Sequence, residues 1–317
     1  MFAAFRRDTD VERAPLHRAD PTRRIRVRRF AGPSAFVDRL DHVRVAHLTD
    51  MHFGRVTPLS IQRAAVALTN AERPDLVAIT GDFVCHSQRY LDQLTEVVSQ
   101  IEAPVIGVLG NHDHWSGADE VRTALRRAGA LVLTNRHTVI TVRGQKMQLL
   151  GLDDAYTGHA RRDEAVRGLR RDLPTLALSH IAEEADGLWS HGVPLVLSGH
   201  THAGQVTFAR LHELTLGKIA GHKYVHGLYG SRNSDIEKAR GAVYVSAGIG
   251  ASVIPFRIGD RGQREVAIFE LGHAPGSFEE HHGEQPALRG RKPSAKLRAK
   301  RAAVVARKRQ KRESTRK

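Results

Sequence analysis

Residues 43–54 read VRVAHLTDMHFG, a short run rich in valine that ends in an acid and a histidine. A largely apolar run of this kind predicts a strand that is buried on both faces. Asp50 and His52 follow the run two positions apart, so on extended chain their side chains can point the same way. The stretch therefore predicts a buried strand that delivers two polar donor side chains at its carboxyl end.

The same arrangement recurs along the chain. Further apolar runs lie at 75–80, 105–110, 176–179 and 194–198, and helical patterns lie at 60–72, 88–101, 117–129 and 161–171. Short buried strands that alternate with helices predict an α/β layered fold, with more strands within 131–152 and 242–271. Active sites of α/β sheets form beyond the carboxyl ends of the strands. We therefore expect the side chains at these strand ends to form a site.

The donors at the strand ends are candidate metal ligands. They are Asp50, His52, Asp82, Asn111, His180, His200 and His202. Oxygen and imidazole donors without thiolates suit Mn²⁺, Fe or Zn²⁺. Gly81 and Gly110 stand directly before two of these donors. Glycine there would let the backbone turn sharply and would keep side-chain bulk away from a cation.

Five motifs in this order resemble those of the calcineurin-like metallophosphoesterases. They are HLTDMH at 47–52, TGD at 80–82, GNHD at 110–113, SH at 179–180 and SGHTH at 198–202, and the resemblance spans about residues 43–271. It implies a layered α/β sandwich of two mixed β-sheets flanked by helices, and a metal-dependent phosphoesterase with two divalent cations. The longer strings HLTDMHFG, ITGDFV, GNHDHW, LSGHTHAGQV and YVSAGIG look like a bacterial branch of that family, which includes lipid-acting phosphodiesterases, among them UDP-diacylglucosamine hydrolases.

The resemblance also distributes the ligands. Asp50, His52 and His202 would hold the first cation, Asn111, His180 and His200 would hold the second, and Asp82 would bridge them. His112 would lie beside the phosphate as general acid or charge stabiliser, and Asp113 would fix the orientation of His112. Two cations about 3.5–4 Å apart can generate hydroxide near neutral pH and bind both attacking and non-bridging oxygens. The expected reaction is attack of a bridging hydroxide on a phosphodiester or pyrophosphate bond.

Cys85 is the single cysteine, which excludes an intrachain disulfide and a cysteine-based zinc site and fits a reducing compartment. It follows Asp82 by three residues, where members of the wider family place a metal-binding Tyr or an Asp. It could bind the first cation or pack behind the strand, and we favour packing because that cation already has four protein donors. His114, His222 and His226 are further candidates for lining the pocket.

The net charge of +15 is concentrated at the two ends of the chain. Residues 289–317 hold fourteen Lys or Arg and one Glu, and residues 1–40 hold ten Arg and five acids, so the body between them is mildly acidic. We predict a poorly ordered Arg-rich lead-in over 1–40, a metallophosphoesterase domain over 41–272, and a linker with a disordered basic tail over 273–317.

The basic tail is typical of a solvated segment, of one that binds an anionic membrane surface, or of one that binds nucleic acid. The favoured function is hydrolysis of a lipid-linked or nucleotide-linked small substrate. A nuclease or nucleotide phosphodiesterase that uses the tail is the alternative, although the acidic body argues against it. The complete ligand set argues against a non-catalytic scaffold. Without an apolar run for a membrane span or an export signal, we predict a cytoplasmic protein, at most peripheral to the membrane.

Overall fold

The computed structural model describes residues 20–204, 215–216, 220–233, 241–251, 257–280 and 283–288. Within these ranges the strands are β1 (Ile25–Ala31), β2 (Val43–Leu48), β3 (Leu76–Thr80), β4 (Val105–Val108), β5 (Leu131–Val132), β6 (Arg136–Val142), β7 (Gln145–Gly151), β8 (Thr175–Leu178), β9 (Leu195–Ser198), β10 (Gly227–Gly230), β11 (Ala242–Val245) and β12 (Arg264–Leu271). The helices are α1 (Leu59–Ala71), α2 (Leu91–Val98), α3 (Asn111–Ser116), α4 (Ala118–Arg127), α5 (Arg162–Ala165) and α6 (Ala185–Trp189).

The strands form two six-stranded sheets. The first has the order β1-β12-β2-β3-β4-β5, in which β2 to β5 are parallel and β12 runs antiparallel to β2. The second has the order β10-β11-β9-β8-β7-β6, in which the four inner strands are parallel and the two outer strands antiparallel to their neighbours. Both sheets are mixed, which confirms the predicted architecture.

Side chains of each inner strand alternate between two apolar layers. In β2, Val43 and Val45 pack between the two sheets, whereas Ala46 and Leu48 face a layer that the helices α1, α2 and α4 complete. The second sheet likewise shares the central layer and packs its other face against α5 and α6. The molecule is therefore a helix–sheet–sheet–helix sandwich, and this double burial explains why the strands read as continuous apolar runs.

The predicted poorly ordered lead-in is wrong for residues 20–40. Strand β1 pairs with β12 along its whole length, and its Ile25, Phe30 and Ala31 are buried. Arg28 is buried as well, where its Nε donates to Glu265 at 2.5 Å. Arg28 and Arg29 of this arginine-rich segment are thus paired with acids far away in sequence. Residues 1–19 lie outside the described part of the chain.

The start of the predicted linker packs on the domain. Arg232 forms ion pairs with Glu280 and Glu284, and the backbone N–H of Gln285 donates to the carbonyl of Leu228 at 2.8 Å. The predicted basic tail, residues 289–317, lies outside the described residues.

The helix predicted over 161–171 is wrong in its extent. It forms only as α5, and Gly168 adopts a φ of 81°, a left-handed conformation that does not continue a helix. Among the helices of the described residues, not one has the length and apolarity that crossing a membrane requires.

Candidate metal centre

The ends of five strands bring the predicted ligands together. Strands β2, β3 and β4 end at one edge of the first sheet, and β8 and β9 end at the facing edge of the second. Two hydrogen bonds join these edges directly. His180 Nδ1 lies 2.7 Å from the carbonyl oxygen of Thr80, and the backbone N–H of His200 donates to Asp50 Oδ2 at 3.0 Å. The site is therefore built across the two sheets of the sandwich.

Asp50, His52 and His202 form the first cluster, with donor atoms that all lie within 4.8 Å of one another. The two Nε2 atoms of His52 and His202 face each other at 3.0 Å, and His202 Nε2 lies 3.3 Å from Asp50 Oδ1. Burial lowers the pKa of His52 to about 3, and burial together with the neighbouring His52 and Arg257 lowers that of His202 well below its usual value. Both imidazoles are therefore neutral and have a lone pair for a cation.

Asp82, His180 and His200 form the second cluster, again within 4.8 Å. His180 Nε2 lies 3.4 Å from Asp82 Oδ2. Burial opposes a charge on His180, but the carboxylates of Asp82, Asp50 and Asp154 outweigh burial and raise its pKa to about 10. The position of this imidazole is therefore one where the protein stabilises positive charge, as a cation site requires.

Asn111 and His112 open helix α3 beside these clusters. The backbone N–H of His112 donates to Asp82 Oδ1 at 2.8 Å, which fixes the start of the helix against the carboxylate. The His112 ring centre lies 4.7 Å from that of His52, and His112 Nε2 lies 3.9 Å from Asp82 Oδ2. His112 is thus adjacent to the clusters but is not a member of either of the two predicted ligand groups.

Asp113 makes different contacts from those that the resemblance implies. Its Oδ1 accepts from the backbone N–H of Val84 at 3.1 Å, and its Oδ2 accepts from that of Gly110 at 2.9 Å. Burial and the nearby Asp82 carboxylate raise the pKa of Asp113 to about 7. The carboxyl group therefore ties the segment after β3 to the start of α3 through their backbones, where we expected it to orient His112.

Close packing leaves no room for side chains at two glycines of the site. A Cβ on Gly110 would lie 2.3 Å from Asp82 Oδ1, and one on Gly199 would lie 2.3 Å from Asp50 Oδ2. Each glycine therefore lets a carboxylate of a neighbouring loop approach the backbone.

The donor set fits divalent cations. Asp50 Oδ1 and Asn111 Oδ1 are buried and accept no hydrogen bond from the residues that the structure describes. Buried oxygens without partners are costly unless a ligand reaches them. The neutral imidazoles and the two carboxylates of the clusters complete a nitrogen and oxygen set that suits Mn²⁺, Fe or Zn²⁺.

Cys85 lies beside the site. Its Sγ and donor nitrogens of His52 and His112 lie within 4.8 Å of one another. The sulfur therefore lies near the first cluster, and the choice between packing and binding a cation stays a prediction. Burial and the Asp82 carboxylate raise the pKa of the half-buried thiol, so the thiol is protonated as long as no cation offsets these effects.

Three residues of the site region were not predicted. Thr49 Oγ1 donates to Asp50 Oδ2 at 2.8 Å, and Arg257 places Nη2 3.5 Å from His202 Nδ1. Asp154 is buried, and its charge favours the protonated form of His180. Asp154 could have been found because it follows β7 as the other donors follow their strands. Arg257 lies in a segment without periodicity and gave no signal.

Of the additional histidines, His222 lies near the site, with its ring centre 5.5 Å from that of His200. His114 instead contacts Asp153 at 2.7 Å, and His226 Nε2 lies 3.3 Å from the buried Glu265. These two contacts show partners outside the ligand clusters for His114 and His226.

Residues 43–204, just over half of the chain, match the family of calcineurin-like phosphoesterases. The chain belongs to this family. The predicted family membership is therefore confirmed, and the calcineurin-like phosphoesterase described here is a metal-dependent phosphoesterase.

Two of the relatives that match most of this phosphoesterase are bacterial proteins. Phosphodiesterase YaeI of Escherichia coli (strain K12) is 29% identical over 244 residues, which cover 74% of this chain and 84% of YaeI. The metallophosphoesterase YkuE of Bacillus subtilis (strain 168) is 25% identical over 240 residues, which cover 73% of this chain and 79% of YkuE. Among solved structures, a 5'-nucleotidase precursor from Thermus thermophilus superposes with a TM-score of 0.49 at 14% identity, covering 74% of this chain and 56% of that one.

Proposed function

We propose that the phosphoesterase uses two divalent cations to hydrolyse a phosphodiester or pyrophosphate bond in a nucleotide-linked or lipid-linked small substrate. Asp50, His52 and His202 would hold one cation, and Asn111, His180 and His200 the other. Asp82 would contact both. The name of the similar phosphodiesterase from Escherichia coli supports a diester as substrate.

The position of Asp82 carries the proposal. Its Oδ2 lies 3.6 Å from His52 Nε2 and 3.4 Å from His180 Nε2, and these two histidines belong to different clusters. A single carboxylate between two sets of donors is the arrangement that a ligand shared by two cations needs. The buried, depressed-pKa imidazoles beside it supply lone pairs at neutral pH.

When bound, the cations would supply positive charge to the phosphate and lower the pKa of water. The chain itself positions the proton donor. His112 adjoins both clusters, where its ring can protonate or stabilise the departing oxygen, and its backbone N–H bond to Asp82 fixes it there. Asp113 keeps this helix start in place by accepting two backbone hydrogen bonds.

The test compares three variants of the Mn²⁺-supplemented enzyme. Asp82→Ala should abolish hydrolysis of bis(p-nitrophenyl) phosphate. It should also lower the metal content by more than one ion per chain, measured by plasma mass spectrometry. His112→Ala should keep both metals and slow the chemical step by about 10²–10⁴-fold, most for poor leaving groups. His191→Ala, an exposed histidine before β9 at the opposite edge of the sheet, is the control.

Full metal content and normal turnover in Asp82→Ala would refute the shared-ligand assignment. Loss of metal from His112→Ala would make His112 a ligand, and the proposed division of roles would then fail.

We also propose that residues 289–317, with fourteen Lys or Arg, bring the enzyme to anionic lipid surfaces. Deletion of this segment should abolish sedimentation with vesicles that contain phosphatidylserine and leave turnover of a water-soluble diester unchanged. If the deletion instead abolishes binding to DNA or RNA while vesicle binding is absent in the full chain, the nucleic-acid alternative is correct.

A further inference from the structure

Aromatic rings form a continuous arc over the candidate metal centre. The Trp115 ring centre lies 4.9 Å from that of His112 and 6.0 Å from that of Tyr156, and the Tyr156 ring lies 5.2 Å from His200. His86 lies 4.3 Å from His112 and is nearly parallel to Trp115, with ring centres 5.9 Å apart at 5°. The arc thus extends from the proton-donor side of the site to the second cluster.

We name Trp115, Tyr156, His86 and His222 the aromatic rim. Its His222 continues the arc beyond His200, at 5.5 Å between ring centres. His86 is exposed, and the other three residues are partly exposed. The rim is therefore a surface that borders the site and that a bound molecule can reach.

The two large rings of the rim do not contribute to the hydrophobic core. Every other Trp and Tyr of the chain, namely Tyr90, Trp189, Tyr224, Tyr229 and Tyr244, belongs to or packs against one of the three apolar clusters of the described residues. Trp115 and Tyr156 belong to none of them. Since core packing does not account for these two side chains, their position next to His112 and His200 calls for another role.

We propose that the aromatic rim stacks on a flat ring attached to the scissile phosphate, so that the substrate is a phosphate ester of a nucleoside or a similar ring-bearing group. Aromatic side chains bind bases through their π faces, and such stacking is worth about 5-fold to 140-fold in affinity per base. An acyl chain has no such face. This inference rests on the proposed function and narrows its substrate class.

The test uses AMP and ribose 5-phosphate, which share sugar and phosphate and differ only by the base. Both are measured as inhibitors of bis(p-nitrophenyl) phosphate hydrolysis. AMP should bind at least about fivefold more tightly than ribose 5-phosphate to the unmodified enzyme. Trp115→Leu should remove this advantage and leave the inhibition constant of ribose 5-phosphate unchanged. Trp189→Leu, the matched control in α6, should keep the advantage.

Fluorescence gives a second readout that does not depend on turnover. Because the chain has two tryptophans, Trp189→Phe leaves Trp115 as the single one. AMP should quench its emission and ribose 5-phosphate should not, whereas neither should affect the Trp115→Phe variant. This measurement also decides the matter if Trp115→Leu fails to fold.

Three further ligands identify what the rim recognises. If phenyl phosphate binds more tightly than methyl phosphate by the same factor as AMP binds more tightly than ribose 5-phosphate, the rim accepts any flat ring. That result supports the proposal. If hexyl phosphate binds as tightly as phenyl phosphate, the rim recognises apolar area alone and the proposal is wrong. If the enzyme hydrolyses the diester but binds AMP and ribose 5-phosphate equally, the proposed stacking on the rim is wrong and the proposed function stands. If AMP quenches the Trp115 emission but the enzyme hydrolyses no diester, the proposed function is wrong and the stacking on the rim stands.

Discussion

Gly199→Ala should disable the metal centre through packing alone. Gly199 precedes His200, and a Cβ there would lie 2.1 Å from Thr49 Oγ1 and 2.3 Å from Asp50 Oδ2. Both of those side chains are fully buried, so neither can swing into solvent. The φ of Gly199 is not in the left-handed region, so alanine meets no backbone strain and the effect is steric.

The magnitude follows from the overlap. Ordinary van der Waals contact to a Cβ is 3.4–4 Å, so Thr49 and Asp50 must retreat by more than an ångström or the loop must shift. Overpacking of this kind costs about 1–3 kcal/mol of unfolding free energy. A displacement of about 1 Å at a catalytic centre can lower the rate by about 100-fold. The retreat of Asp50 from the added Cβ would also stretch the 3.0 Å hydrogen bond from the His200 N–H to Asp50 Oδ2. We therefore expect about a 100-fold loss in kcat/KM together with lower metal content.

Urea unfolding, metal analysis and hydrolysis of bis(p-nitrophenyl) phosphate measure these effects. Gly283→Ala is the matched control, because no heavy atom lies within 4 Å of a Cβ placed there and its φ is not left-handed. It should stay within about 0.5 kcal/mol of the unmodified protein. Unchanged turnover and metal content in Gly199→Ala would show that close packing does not position the Asp50 carboxylate.

Two further changes test charge and donor type. Glu265→Gln should lower the unfolding free energy at pH 7 by about 3–5 kcal/mol, because it removes the buried carboxylate that directly contacts the Arg28 cation and leaves only the more distant, exposed Asp260. Although burial opposes ionisation, His226 and Arg28 hold the pKa of Glu265 well below its usual 4.5. The ionised Glu265 therefore stabilises the fold fully above pH 4.5, and this stabilisation is lost as the pH falls further. Urea unfolding at a series of pH values should find a smaller acid-dependent loss of stability in the variant. Cys85→Ser should lower the ratio of Zn²⁺ to Mn²⁺ retained after dialysis against equal concentrations of both, because it removes a soft donor beside His52. An unchanged ratio would show that the sulfur does not reach a cation.

The central strands could be predicted from the sequence because a strand that is buried on both faces consists mostly of apolar residues. Strand β2, for example, alternates between two apolar layers, and four of its five buried residues, all except His47, are apolar. Strand β1 could not be predicted in this way. Its buried Arg28 is stabilised by Glu265, which lies more than two hundred residues away, and local composition does not reveal such a partner.

The ligand positions were predictable for a similar reason, since each donor adjoins a recognisable strand. The contacts of Asp113 were not predictable. Whether a carboxylate meets a ring or two backbone amides depends on the relative position of the segments after β3 and β4. Trp115 and Tyr156 are far apart in sequence, and only the fold brings their rings together over the site.

The local geometry of the donors departs from the extended backbone that their spacing suggested. Asp50, His52, Asp82, His200 and His202 all have positive φ, between 44° and 76°. Asp and His tolerate this left-handed region better than most residues, yet such conformations persist only where surrounding structure enforces them. Here the backbone N–H groups of Asp50 and His52 donate to the carbonyls of Gly81 and Asp82, each at 3.0 Å. These bonds join the segments that follow β2 and β3, and they exist because the two strands are parallel neighbours. The sheet order, more than the spacing of the motif, therefore aims the donors at a common point.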